Sequence, residues 1–62
     1  MWSKVENILK EKEISVYRLS KLSGIPETTL NNYKNGSEPS FKNMDKIAKA
    51  LNVSLEVFSS RK

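Results

Sequence analysis

A chain of 62 residues allows one small domain, residues 1–62, with a thin buried core. It contains no cysteine and no histidine, which excludes disulfides, zinc sites of the Cys/His type and imidazole acid–base catalysis. Eleven Lys and Arg against seven Asp and Glu leave a net charge of +4, a moderate excess whose position says more about a partner than its size.

The first thirteen residues balance Lys4, Lys10 and Lys12 against Glu6, Glu11 and Glu13. Ser3-Lys4-Val5-Glu6 reads as a capping box opening a helix that ends near Lys12. Val5, Ile8 and Leu9 form its apolar face. Trp2 precedes the cap, where it can staple over the helix or serve a partner contact. Ile14 drops toward the core, and Ser15 caps a second helix.

From Val16 to Gly36 the chain reads VYRLSKLSGIPETTLNNYKNG. Val16, Leu19 and Leu22 make an apolar stripe at i, i+3, i+6, and Ser20 is small enough for a crossing helix to approach. Gly24 suits the positive φ of a sharp helix end. Ile25 tucks in after the turn, and Pro26 suits the first turn of a third helix running to about Lys34. Leu30 and Tyr33 are its buried side. Its other face carries Glu27, Thr28, Thr29, Asn31, Asn32 and Lys34. Thr and Asn are mediocre helix formers, and a face built for solubility alone is more often rich in Lys and Glu. The plain alternative is an ordinary polar surface; base reading explains the composition better. Asn pairs bidentately with adenine, Thr offers a hydroxyl or a methyl, and Glu accepts from cytosine.

Asn35-Gly36 closes that helix, and Ser37-Glu38-Pro39 is loop. Ser40 caps a fourth helix, Phe41 to Leu51, whose apolar face is Met44, Ile47, Ala48 and Leu51 with Phe41 at the start. Lys42 in its first turn opposes the helix dipole. A phosphate near Lys42 and Asn43 relieves that conflict. Asn52 suits a left-handed helix end, Val53 returns to the core, and Ser54 caps a short last helix with Leu55 and Phe58 inward. No apolar run exceeds three residues, so nothing reads as a membrane span or secretory signal. The basic excess lies between Arg18 and Lys49 and at Arg61-Lys62.

Leu19-Ser20, Gly24 and Leu30, followed by Asn35-Gly36, Pro39-Ser40 and the run Ile47 to Ser54, resemble the lambda-repressor-like, Cro-type (Xre) helix-turn-helix DNA-binding family over nearly the whole chain. The resemblance implies an all-α, compact five-helix domain with the helix-turn-helix at helices 2 and 3. It implies a sequence-specific regulator of prokaryotic or phage type in the cytoplasm, with repression the expected mode. The third helix enters the major groove of a double-stranded operator. Glu27, Thr28 and Asn32 are the expected base contacts. Ser15, Thr29, Asn31, Lys34, Asn35, Lys42 and Asn43 are the expected phosphate contacts. The family commonly has Gln after the second helix cap; here Val16 stands there, so that contact is lost or moves to Ser15 or a backbone N–H.

One such unit reads few base pairs, so a weak homodimer through Val57, Phe58 and Trp2 is expected. No cofactor, metal, membrane or small-molecule substrate is expected. With no His, no Cys and no glycine-rich phosphate loop, an enzyme is not expected. The rival reading is an antitoxin-type or other protein-interaction module on the same fold.

Overall fold

The computed structural model describes residues 2–58, so Arg61 and Lys62, which carry part of the basic excess, lie outside the described residues. Four α-helices are followed by one 3-10 helix: α1 Trp2–Lys12, α2 Val16–Ser23, α3 Glu27–Lys34, α4 Phe41–Leu51 and the 3-10 helix Leu55–Phe58. The expected all-α fold is present; the fifth helix is this single 3-10 turn.

Each helix is bounded by groups close to it in sequence. α1 begins at Trp2, so Ser3 lies inside the first turn rather than at the cap, and Trp2 is helical rather than a staple ahead of it. Its C-terminus closes with Ile14 N–H donating to the Leu9 carbonyl at 2.9 Å and Glu13 N–H to the Lys10 carbonyl at 3.2 Å. This double bond pattern demands a left-handed residue between, and Glu13 supplies it at φ 57°. α4 ends the same way, with Asn52 at φ 59° and Val53 N–H on the Ala48 carbonyl at 3.0 Å. α3 does so through Gly36 at φ 119°, with Ser37 N–H on the Asn32 carbonyl at 3.0 Å. Ser15 and Ser40 cap α2 and α4 as expected, accepting from the N–H of Arg18 at 3.0 Å and of Asn43 at 3.2 Å.

The turn between α2 and α3 is tied by two serines. Gly24, at φ 77°, donates its N–H to the Ser20 carbonyl at 2.9 Å. The Ser20 hydroxyl then reaches across the turn to the Ile25 carbonyl at 2.7 Å, and Ile25 N–H donates to Ser23 Oγ at 3.2 Å. With its backbone satisfied, Ile25 can be buried, and only 3% of it is exposed. Pro26 has an extended ψ of 145°, so α3 starts one residue later than expected, at Glu27, without a side-chain cap.

The core joins Val5, Ile8 and Leu9 of α1, Leu19 of α2, Ile25, Leu30 and Tyr33 around α3, Ile47, Ala48 and Leu51 of α4, and Phe58. α2 lies at its centre, packing on both α3 and α4. No polar side chain is buried among the described residues.

Two residues expected inside are not. Leu22 is 47% exposed. At about 100° per residue, Val16, Leu19, Ser20 and Ser23 share one arc of α2, and Leu22 falls outside it. All four are buried or half-buried, so the inward residue of the last turn is Ser23. Phe41 is 72% exposed. It is the first residue of α4, and helical side chains lean toward the N-terminus, which here leads off the core.

A Cβ at Gly24 meets nothing within 4 Å, so the glycine is required by its φ alone. Gly24→Ala should therefore cost about 1 kcal/mol, and Glu13→Gly, which relieves the same strain, should stabilise by about 1 kcal/mol. Thermal unfolding of the two variants should move the midpoint in opposite directions, by about 4–8 °C each. A parent-like Glu13→Gly midpoint would show that this helix end is not strained.

Candidate nucleic-acid interface

α3 turns Leu30 and Tyr33 into the core and everything else outward or sideways. Thr28, Asn31 and Asn32 fall within about 100° of arc around its axis. All three are exposed, as is Glu27 on their flank. Thr29 is half-buried at the edge of the packed side. Asn31, expected at a phosphate, thus shares the arc of the residues expected at bases, lying between Glu27 and Thr28 around the axis. Glu27, in the first turn, also suits the positive end of the helix dipole.

Two further helix N-termini accompany α3. At α2, Val16 is half-buried and offers no polar group, which accounts locally for the departure from the expected Gln. Ser15 beside it is exposed; its Oγ accepts from Arg18 N–H, which leaves its own O–H free to donate. At α4, Ser40 takes the Asn43 N–H on its side chain and the Met44 N–H on its carbonyl at 2.9 Å. The N–H groups of Phe41 and Lys42 precede the first of these bonds and have no helical partner. Lys42 itself is exposed. Lys34 and Asn35, at the opposite end of α3, are exposed too.

Asn43, expected at a phosphate, also makes a bond within the chain. Its Nδ2 donates to the Tyr33 hydroxyl at 2.8 Å, in a half-buried setting. This bond spans ten residues and fastens the first turn of α4 to the last turn of α3. The sequence signal for it is weak. A mostly buried Tyr asks for a hydrogen-bond partner, but nothing local names Asn43.

The remaining charges are dispersed. Lys49 pairs with Asp45 one helical turn away at 3.2 Å, and Lys21 lies over the Tyr17 ring at 5.2 Å. The residues expected at a dimer contact separate. Val57 is 41% exposed, and Phe58 is only 4% exposed. Trp2 is half-buried, lining a hollow with Tyr33, Gly36 and Pro39. Among the described residues no group of three or more His, Cys, Asp or Glu is placed to hold a metal ion. Among them, too, no helix is long and apolar enough to cross a membrane.

Tyr33→Phe removes the acceptor that Asn43 uses while keeping the ring in the core. The variant should lose about 1–2 kcal/mol of stability, and the side-chain amide protons of Asn43 should exchange faster with solvent. Unchanged exchange would mean that the two helices are not tied at this point.

A helix-turn-helix family model matches residues 5–58. No curated protein and no solved structure matches the chain. The matched segment runs from the first buried residue of α1 to the last residue of the 3-10 helix, and so takes in all four α-helix contributions to the core. On that match, together with the tied turn between α2 and α3 and the exposed polar arc of α3, the chain belongs to the lambda-repressor-like (Xre-type) helix-turn-helix family, a family of DNA-binding transcription regulators.

Proposed function

We propose that the chain binds double-stranded DNA sequence-specifically and regulates transcription, with repression by occupancy of an operator as its mode. One observation carries the reading. The eight-residue α3 exposes Thr28, Asn31 and Asn32 on one arc while its apolar side is held in the core. These residues lower intrinsic helix stability, so tertiary packing is spent on presenting short, hydrogen-bonding side chains. Such tips match base edges in a major groove.

In this reading Glu27, Thr28 and Asn32 read bases, and the position of Asn31 on the same arc, between Glu27 and Thr28, makes it a fourth reader. Ser15, Lys34, Asn35 and Lys42 fix the register on phosphates. Thr29, half-buried, and Asn43, bonded to Tyr33, act chiefly by holding α3 and α4 in place. Binding is the whole mechanism; no covalent step is assigned. A single helix in one groove gives modest affinity, so two copies act on a two-fold site.

Selection from random duplex oligonucleotides tests the reading directly, since it should enrich one short two-fold motif. On that motif Asn32→Ala should cost about 1–3 kcal/mol and relax preference at one position. A variant that ranks all sequences as the parent does would remove Asn32 from the readers.

Lys42→Ala should behave differently, weakening every sequence alike. Its log–log dependence of affinity on salt should flatten by about 0.9. An unchanged slope would show that Lys42 contacts no phosphate.

A further inference from the structure

We propose that the hollow beside Trp2 is a binding site for a small aromatic carboxylate. The site belongs to the free chain; only its effect on DNA rests on the DNA-binding reading above. Donors outnumber free acceptors here. The indole Nε1–H of Trp2 is buried without a hydrogen-bond partner, and it is the only such side-chain nitrogen or oxygen among the described residues. A buried Trp N–H usually finds an acceptor, and leaving it without one lowers stability. The acceptors where α3 borders the hollow are already in use. The Asn31 and Asn32 carbonyls take the Asn35 N–H, the Asn32 carbonyl also takes the Ser37 N–H, and the Tyr33 carbonyl takes the Gly36 N–H. The Tyr33 hydroxyl accepts from Asn43, which leaves its own proton to donate.

Trp2, Tyr33 and Pro39 supply apolar walls, and Lys34 and Glu38 supply the charges. The hollow measures about 270 Å³, just below the roughly 300–1,000 Å³ of pockets that take drug-sized ligands, so one ring with a short polar group is the size that fits. Lys34 makes no ion pair among the described residues, so its ammonium is open to an anion. Glu38, the one acid on the lining, is exposed and can turn to water. The start of α1 adds the positive end of a helix dipole, with no acid in its first turn. These charges favour an anion over a cation, and two aromatic side chains favour a flat ring. A carboxylate brings two acceptor oxygens, one for the indole N–H and one for the ammonium. The N–H is shut off from solvent, so the indole turns toward the hollow as the ligand enters. The free chain bears an unpaired donor and the bound chain does not, which is the difference that drives binding. Lys34 is also one of the residues that the DNA reading places on a phosphate. A bound carboxylate and the duplex therefore compete for one ammonium.

Trp2 is the one tryptophan of the chain, so a single indole N–H resonance reports on the hollow. Titrating the free chain with benzoate should move that resonance downfield and slow its exchange with solvent, saturating with a Kd of about 1 mM. Benzylamine keeps the ring without the carboxylate, and acetate keeps the carboxylate without the ring; each should bind at least about tenfold more weakly. Trp2→Phe keeps an aromatic ring at this half-buried position. It should bind benzoate about tenfold more weakly, read from the backbone amide shifts of Gly36 and Ser37 on the lining. An indole resonance that benzoate leaves in place overturns the site. So does benzylamine or acetate matching benzoate, or Trp2→Phe binding benzoate as the parent does. On the selected duplex, saturating benzoate should weaken the parent by about fivefold or more. Duplex affinity indifferent to benzoate overturns the competition and leaves the site standing. A chain that binds no duplex overturns the DNA reading, and the resonance titration then still decides the site.

Discussion

The interaction on which the rest depends is the tie across the turn between α2 and α3. The Ser20 hydroxyl holds the Ile25 carbonyl at 2.7 Å, over a Gly24 in the left-handed region. An eight-residue helix such as α3 is far too short to be stable alone in water. It exists because Ile25, Leu30 and Tyr33 are buried against Leu19 and α4. The tie lets Ile25 enter that core with its backbone satisfied, so the start of α3 and the packing of α2 become one decision.

The far end of α3 is secured by different means. Tyr33 puts its ring in the core and its hydroxyl in a half-buried setting, where the Asn43 amide donates to it. Through that bond the start of α4 is held relative to α3. A helix that enters a DNA groove, as proposed for α3, must keep its angle relative to the elements on either side. Here both ends are anchored, one by a serine across a turn and one by a tyrosine across a loop. The exposed arc between them carries side chains with few rotatable bonds, so little freedom is lost when they are used.

The exposed apolar side chains have separate origins. Leu22 is outside because the packed arc of α2 passes through Ser20 and Ser23, whose hydroxyls serve the turn. Phe41 is outside because it starts its helix, with no core beneath the direction it faces. In a chain with so few apolar residues to bury, a phenylalanine left outside is an uneconomical placement for stability alone.

Sequence by itself determined the helix order and most of the boundaries. Ser15, Ser40 and Ser54 act on backbone groups two or three residues away, and Gly24, Gly36 and Asn52 act through their own φ preferences. Such signals are local, so they can be read without a fold. The composition of α3 was legible for the same reason: the chemistry of Thr and Asn belongs to the residues themselves. Only the tertiary structure decided which side of each stripe is buried. Leu22 and Ser23 compete for one direction, and the approach of α3 and α4 settled it for Ser23. It decided that Glu13 takes a left-handed conformation, because Ile14 is drawn back over Leu9 toward the core. It also decided that Asn43 serves Tyr33 and that Phe41 stands free, since both depend on where a neighbouring element ends. Interactions of that kind join residues distant in the chain, and no spacing rule within one helix encodes them.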